Sequence, residues 1–407
     1  MTQASGYLIA FAASLLLAAC GGGGSSDGGT QAPPGSLDPS FGNGGAVINS
    51  KASFAGGIAL QPDGKVVVAA GQWLIRYDRS GVLDATFGTG GIASAAPDDN
   101  GFVAGSVSLQ PDGKIVASGS FHGVGGDYHC TLARYSIDGA IDRAFGDEGL
   151  VVWDPYGNVS DCTGIATQTD GEIVLGVHVG TVPMLGGPTA RFDVNGNLDM
   201  TFGTNGVAVG GGAIVIQPDG KILSASILRG HGLNECAVTR VGTDGVTDPA
   251  FGDGGHVSWT GPFDEQAPLV CALARQPDGK IVVLNHGSVA RFLENGAPDS
   301  RFGGGGVVTG LPGVALAVQS NGKIVVAGGD GNSYPQKGFA LWRLDTGGQY
   351  DAGFGNAGTV VTPLLGAGDA VDLAIQPDGR IVASGSTAPL GEMPGTREAA
   401  LTRYFGD

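Results

Sequence analysis

The stretch QPDGKIVASG, residues 110–119, decides the fold of this chain because it returns six more times with small changes. The other copies begin at Gln61, Gln168, Gln217, Gln276, Gln319 and Gln376. In each copy a short apolar run precedes the turn residues and a β-branched run follows them. Two such runs around an Asp-Gly pair predict a β-hairpin with a two-residue connection, since Gly reaches positive φ and Asp caps backbone N–H groups.

Each hairpin is followed by two further short runs. The third ends in Arg-Tyr or a relative of it, as in LIRY (74–77) and LARY (132–135). A connector of the form LDxxFGxxG and a fourth short run complete a unit of about 50 residues. Seven units of four strands predict an all-β, seven-bladed β-propeller. A linear β-solenoid is the alternative.

A fixed spacing links the third strand to the connector. Eight residues separate an Arg from an Asp in six units, and a Phe follows each Asp by three. The pairs are Arg76 and Asp84, Arg134 and Asp142, Arg191 and Asp199, Arg240 and Asp248, Arg291 and Asp299, and Arg343 and Asp351. We interpret each pair as a bidentate structural clamp, and each Phe as a plug between neighbouring blades. Repetition in every unit argues against a catalytic role.

Two unmatched residues predict how the array ends. Asp38 has no Arg eight residues before it, and Arg403 has no Asp eight residues after it. Each supplies what the other lacks. We therefore expect the N-terminal strand to complete the blade that the C-terminal strands begin, which closes a ring. A solenoid would instead need capping units at both ends.

The repeat unit resembles the bacterial delta-60 repeat. The resemblance rests on the pattern QPDGKIVVAG…LARY…DGxLDxxFGxxG and covers residues 37–407. Copies three and six depart from it in the turn, as QTDGE and QSNGK, and Val241 replaces the aromatic residue in the fourth third-strand run. These departures affect turns and packing. The resemblance implies a propeller and carries no activity to transfer.

The first 36 residues have the pattern of a targeting segment and a tether. Residues 7–19 are apolar, too short for a membrane span but suited to a signal peptide. LAAC (17–20) resembles a bacterial lipobox, although no Lys or Arg precedes the apolar run. This predicts a signal peptide over 1–19, lipidation at Cys20 and a Gly/Ser/Pro tether over 20–36. Gly21 after the Cys implies sorting to the outer membrane, facing the periplasm or the exterior.

Composition limits the partners. The chain has 407 residues and a net charge of −17, without a basic stripe. Nucleic acid and anionic lipid surfaces are therefore disfavoured, and we expect membrane contact only through the lipid anchor. We expect a monomer that needs no cofactor.

Four cysteines besides Cys20 predict two disulfides in an oxidising compartment. Cys130 and Cys236 occupy the same repeat position, four residues before the third-strand Arg. Cys162 and Cys271 lie at the start of the first strand of the following blade. We predict the pairs Cys130–Cys162 and Cys236–Cys271. Four buried free thiols are the alternative.

Variable connections predict the binding face. The Asp-Gly turns and the Arg-to-Phe connectors scarcely vary in length, whereas the other two connections of each unit vary widely and emerge on the opposite face. Candidate contact residues there are Trp153, Tyr156, Trp259, Phe263, Tyr128 and Asp154. Weak metal-ligand candidates on the same face are His122, His129, His178, His231 and His286.

Two functions follow from these patterns. The chain contains no G-x-S-x-G, H-E-x-x-H, Walker or Cys-x-x-Cys motif. We therefore expect no catalytic residues, and favour a binding scaffold for a protein or a glycan. The alternative is a propeller hydrolase or lyase with a metal at the central channel, which is disfavoured because the predicted inner strands are apolar or small.

Overall fold

The structure is a computed structural model that describes residues 32–94, 101–122, 128–154, 160–179, 187–230, 233–261, 270–330, 338–389 and 397–407. These residues form 28 strands arranged in seven four-stranded antiparallel sheets, with no helix among them. The sheets are the blades of a seven-bladed propeller, as the repeats predict. Accordingly, the described residues contain no helix that could cross a membrane.

The first four complete blades follow one another along the chain, each numbered from its inner to its outer strand. Blade one contains β2 (Ile58–Leu60), β3 (Val66–Ala70), β4 (Trp73–Tyr77) and β5 (Ile92–Ser94). Blade two contains β6 (Phe102–Leu109), β7 (Ile115–His122), β8 (Tyr128–Tyr135) and β9 (Leu150–Trp153). Blade three contains β10 (Ser160–Thr167), β11 (Ile173–Val179), β12 (Pro188–Phe192) and β13 (Val207–Val209). Blade four contains β14 (Ala213–Ile216), β15 (Ile222–Gly230), β16 (Leu233–Val241) and β17 (His256–Trp259).

The last three blades include the closure of the ring. Blade five contains β18 (Cys271–Arg275), β19 (Ile281–Asn285), β20 (Ser288–Phe292) and β21 (Val307–Thr309). Blade six contains β22 (Gly313–Val318), β23 (Ile324–Gly329), β24 (Gly338–Leu344) and β25 (Thr359–Pro363). Blade seven contains β26 (Gly366–Ile375), β27 (Ile381–Pro389) and β28 (Glu398–Tyr404), and its fourth strand is β1 (Ala46–Asn49) from the start of the described chain.

Strand exchange between the two ends of the chain closes the ring. β1 pairs with β28 in antiparallel register, from Ala46 opposite Thr402 to Asn49 opposite Ala399. The hydrophobic core of the described residues divides into seven clusters, one at each interface between neighbouring blades. One cluster joins Val382 and Leu401 of blade seven to Val66 and Ile75 of blade one. Since blades one and seven pack together, the linear solenoid is wrong.

The hairpin turn is longer than the sequence predicts. In blade one the N–H of Gln61 donates to the carbonyl of Lys65, so Pro62, Asp63 and Gly64 form a three-residue loop. The N–H of Gly64 closes the turn on the carbonyl of Gln61, and Gly64 has a φ of +84°. The predicted two-residue connection was therefore wrong. Proline, whose φ is already suited to the first corner of such a turn, takes part in the loop rather than in the strand.

Candidate functional site

The two faces of the ring differ in regularity. We call the turn face the side formed by the hairpin turns between first and second strands and by the connectors between third and fourth strands. The loop face is the opposite side. On the turn face five residues separate the first two strands of every blade (61–65, 110–114, 168–172, 217–221, 276–280, 319–323 and 376–380). On the loop face the corresponding connection is two residues in blade five, 286–287, and eight in blade three, 180–187.

Seven arginine–aspartate clamps occupy the turn face. In blade one Arg76 Nε donates to Asp84 Oδ2 at 2.8 Å, and both side chains are buried. The same contact spans 2.8–3.0 Å in the other blades, where the partners are Arg134–Asp142, Arg191–Asp199, Arg240–Asp248, Arg291–Asp299, Arg343–Asp351 and Arg403–Asp38. The eight-residue spacing thus identifies pairs that the fold brings together.

The clamp geometry differs from the bidentate pair that the sequence predicts. Each arginine contacts a single carboxylate oxygen, Oδ2, because the other oxygen caps the connector. In the clamp of blade one, Asp84 Oδ1 accepts the backbone N–H of Thr86 at 3.1 Å and its hydroxyl at 2.7 Å. In the clamp of blade seven, Asp38 Oδ1 accepts the same two bonds from Ser40 at 3.0 and 2.6 Å. One aspartate therefore holds both the strand and the turn.

The arginines also join each blade to the next. Arg191 Nη1 donates to the carbonyl of Thr243 at 2.7 Å, and Arg240 Nη1 to that of Glu294 at 2.6 Å. The acceptor is always three residues beyond the arginine of the following blade. The other bonds of this ring run from Arg76 to Ile137, Arg134 to Val194, Arg291 to Thr346, Arg343 to Gly406 and Arg403 to Arg79. The seven guanidinium groups thus form one closed circuit around the propeller.

Each connector phenylalanine fills an interface between blades. The seven residues are Phe41, Phe87, Phe145, Phe202, Phe251, Phe302 and Phe354, and all are 0% exposed. The clamp guanidinium stacks over the ring, with Arg Cζ 4.4–4.7 Å from the ring centroid. Gly139 of blade two approaches the ring of Phe87 so closely that a Cβ there would lie 2.7 Å from it. Phenylalanine therefore acts as the predicted plug.

The environment of the clamps keeps their aspartates ionised. Burial alone would raise the pKa of Asp38, but hydrogen bonds from Ser40 and the charges of Arg403 and Arg380 outweigh it and lower the pKa. The pKa is also lowered for the other clamp aspartates, which are Asp84, Asp142, Asp199, Asp248, Asp299 and Asp351. Such a regular arrangement supports the ring and carries no sign of individual chemistry.

Two disulfides connect neighbouring blades near the loop face. Cys130 in β8 bonds to Cys162 in β10, and Cys236 in β16 bonds to Cys271 in β18. This is the connectivity that the repeat positions predict, and the alternative of four free thiols is wrong. The bonds join blade two to blade three and blade four to blade five.

Trp153 and Trp259 lie at equivalent positions beside these disulfides. Trp153 is the cross-strand partner of Cys130, and Trp259 is that of Cys236. Both indoles are partly buried against the inter-blade core, and Trp153 meets Phe192 edge-on at 5.9 Å. Much of each ring therefore serves packing between blades, which a sequence cannot separate from a role in ligand contact.

A histidine–aspartate pair lies on the loop face of blade two. His129 Nδ1 is 2.9 Å from Asp154 Oδ2, and the two side chains are 22% and 19% exposed. The ring of Phe121 stacks on that of His129 with centroids 6.5 Å apart. A carboxylate at Nδ1 favours the tautomer whose Nε2 is a free acceptor. The arrangement can accept a hydrogen bond from a ligand beside an apolar ring.

The remaining candidates do not converge on a metal site. His286 is 5% exposed in the two-residue turn of blade five, with a φ of +46°. His122, Tyr128 and His178 lie in strands, but their side chains are outside the described structure, and Tyr156, His231, Phe263 and Cys20 are outside the described residues altogether. Within the part of the chain that the structure describes, no three His, Cys, Asp or Glu side chains group as metal ligands.

Asp372 is a buried acid that the sequence analysis did not identify. It lies in β26, where the six other blades have Gly, Ser or Ala at the same distance before the turn glutamine. Its Oδ2 accepts the N–H of Ile58 in blade one at 2.8 Å, and its Oδ1 accepts the N–H of Leu373 at 2.8 Å. Burial raises its pKa to about 6. The departure from small residues was the available signal.

Comparison with known proteins supports the repeat architecture. A family model described as a domain of unknown function (DUF5122) β-propeller matches residues 61–87, 110–145, 276–302 and 319–354. Each match begins at the turn glutamine and ends at the connector phenylalanine. No curated protein matches the chain. The family match and the seven blades together support assignment to a β-propeller repeat family.

Solved structures share the fold at low sequence identity. Virginiamycin B lyase from Staphylococcus aureus is 11% identical with a TM-score of 0.54, over 88% of this chain and 98% of that one. A chain of a mitotic checkpoint complex is 12% identical with a TM-score of 0.52, over 97% and 99%. At this identity the likeness concerns the fold alone.

Proposed function

We propose that this protein is a delta-60 repeat lipoprotein of the cell envelope that binds a protein or a glycan through its loop face and has no chemistry of its own. The observation that carries the proposal is the difference between the two faces. On the turn face the same arginine, aspartate and phenylalanine recur in every blade and are engaged with one another. The loop face carries the features that do not recur in every blade.

Those features suit recognition. The His129–Asp154 pair is partly exposed and has an aromatic ring beside it. Rings stack on the apolar faces of sugars and on side chains, while imidazole and carboxylate oxygens accept hydrogen bonds from hydroxyl and amide groups. The two disulfides stiffen the blades that carry this surface. A rigid frame reduces the entropy lost when a ligand binds.

The anchor is the second part of the proposal. Cys20 at the end of LAAC would carry the lipid, and the outer membrane would be its destination. Replacing Cys20 with Ala is expected to move the protein from the membrane pellet to the soluble fraction. A variant that still sediments with the outer membrane would show that another element anchors the chain.

The binding role is tested by crosslinking in intact cells, followed by purification and a glycan array for the purified domain. One variant, His129→Ala with Asp154→Ala, alters the loop face. A control, Val82→Ser with Val246→Ser, alters two turn-face residues that are each 59% exposed. We expect only the first variant to lose the partner while both keep the melting temperature within a few degrees. Loss of the partner only in the control would assign binding to the turn face.

The enzyme alternative is decided by a separate measurement. A propeller hydrolase or lyase of the kind considered would need a bound metal ion near the channel. Metal analysis of the mature domain, purified without chelators, that found about one equivalent of a transition metal would favour that alternative over a scaffold.

A further inference from the structure

The segment that precedes β1 is built into the turn face. The carbonyl of Pro34 accepts the N–H of Gly355 at 2.9 Å, and the N–H of Gly35 donates to the carbonyl of Phe405 at 2.7 Å. Gly355 belongs to the connector of blade six, and Phe405 directly follows β28 of blade seven. The chain therefore enters the ring between blades six and seven, in the layer of the connectors.

Pro34 completes a sevenfold pattern. At each of the six other junctions, the glycine after the connector phenylalanine donates its N–H to a carbonyl of the next connector at 2.6–2.8 Å. These bonds are Gly42–Ser80, Gly88–Asp138, Gly146–Asn195, Gly203–Asp244, Gly252–Asn295 and Gly303–Gly347. At the seventh junction Pro34 supplies the acceptor. The entry point of the N-terminal segment is thus fixed by the same bond that joins every other pair of blades.

We propose that the anchored propeller turns its turn face towards the lipid surface and presents its loop face away from it. This orientation rests on the proposed anchor at Cys20. Because the chain leaves the ring on the turn face, the shortest path from lipid to domain approaches that face. The loop face, with the His129–Asp154 pair, is then open to partners in the surrounding space.

The length of the tether supports one orientation over the other. Thirteen residues lead from Cys20 to Pro33. A flexible chain of that length has a root-mean-square span of about 20 Å and a maximum of about 45 Å. β6, β7 and β8 have eight residues each, so a blade is at least about 26 Å high. With the loop face against the membrane, the tether would have to run back along the full height of a blade, beyond its usual span.

Fluorescence energy transfer to labelled lipid measures the orientation. The full-length lipidated protein is reconstituted in vesicles that contain an acceptor lipid, and a donor is attached to one introduced thiol. Val246→Cys places the donor on the turn face, where Val246 is 59% exposed. Ser53→Cys places it on the loop face, in the exposed connection between β1 and β2. The four native cysteines are held in disulfides and do not react.

We expect transfer from Val246→Cys to be at least about twofold stronger than from Ser53→Cys, given the added blade height of about 26 Å. Equal transfer from both positions, or stronger transfer from Ser53→Cys, would overturn the orientation. Vesicle flotation separates this from the anchor. If the wild-type chain does not float with vesicles, or if Cys20→Ala floats equally well, the proposed lipid anchor is wrong instead.

A longer tether provides the matched control. Inserting thirteen Gly/Ser residues after Thr30 raises the root-mean-square span to about 28 Å, comparable to the height of a blade. The difference between the two donor positions should then shrink while flotation persists. A difference that does not change with tether length would mean that contact between a face and the lipid sets the orientation, which contradicts the tether argument.

Discussion

Arg403 Nε donates to Asp38 Oδ2 at 2.9 Å although 365 residues separate the two along the chain. In the six other blades the same contact joins residues only eight apart. In those blades the connector holds arginine and aspartate together covalently. In blade seven only non-covalent contacts do so, and this clamp therefore closes the ring.

Removal of the closing clamp should cost more stability than removal of an internal one. Asp38 and Arg403 have side chains 2% and 7% exposed, and Arg380 also contacts Asp38 at 2.8 Å. Asp38→Ala leaves two cations without their carboxylate, so we expect a loss of about 3–5 kcal/mol in denaturant unfolding. Asp142→Ala is the internal comparison. An equal or larger loss for Asp142→Ala would show that the closing clamp has no special weight.

Deletion of β1 should destabilise the whole ring. Without residues 37–50 the edge of β28 is exposed and the cluster between blades seven and one is opened. We expect loss of a single cooperative melting transition, measured by calorimetry. Deletion of residues 1–31 is the control and should leave the transition unchanged. A melting temperature unaffected by the first deletion would refute closure by strand exchange.

The disulfides should each stabilise the domain by a few kcal/mol. The bonded cysteines are 32 and 35 residues apart, which corresponds to about 3–4 kcal/mol of loop-closure entropy in the unfolded chain. Replacing both Cys130 and Cys162 with Ala should lower unfolding free energy by that order. Non-reducing peptide mapping tests the connectivity directly, and a Cys130–Cys236 peptide would contradict it.

Asp372 and the clamp aspartates should have opposite pH dependence. The clamp aspartates have lowered pKa values, so their contribution is present above pH of about 4 and is lost as pH falls through their folded pKa. Burial raises the pKa of Asp372 to about 6 from 3.8, so its contribution is greatest at low pH and is lost as pH rises through 6. Asp372→Asn should therefore raise stability at pH 8, on the order of 2–3 kcal/mol, and little near pH 4. Urea unfolding at both pH values measures this, and an equal effect at both would rule out ionisation as its cause.

Glu172 marks a charge reversal that substitution should correct. In four other blades a lysine at this position lies 2.9–3.1 Å from the clamp aspartate. Glu172 instead contacts Arg191 at 3.1 Å, and its pKa is raised by burial and by nearby carboxylates. Glu172→Lys should stabilise the domain by about 0.5–1 kcal/mol. Glu172→Gln should give an intermediate gain in the same urea titration, and a loss on adding the lysine would contradict the comparison.

The sequence by itself determined the repeat, the number of blades, the pairing of each clamp arginine with its aspartate and the connectivity of the disulfides. These features are readable because a repeat writes each structural requirement several times. The spacing between Arg76 and Asp84 is local, and the two unmatched residues, Asp38 and Arg403, carry the closure of the ring without any structure.

Only the tertiary structure decided what each side chain does beyond its own blade. The bond from Arg191 to the carbonyl of Thr243 depends on how neighbouring blades stack, and a backbone acceptor leaves no mark in residue identity. The partial burial of Trp153, and the pairing of His129 with Asp154, depend on the neighbouring strands. Asp372 becomes unusual only because the last blade packs against the first, where burial raises its pKa. Periodic patterns describe contacts along the chain, whereas these contacts arise from packing across it.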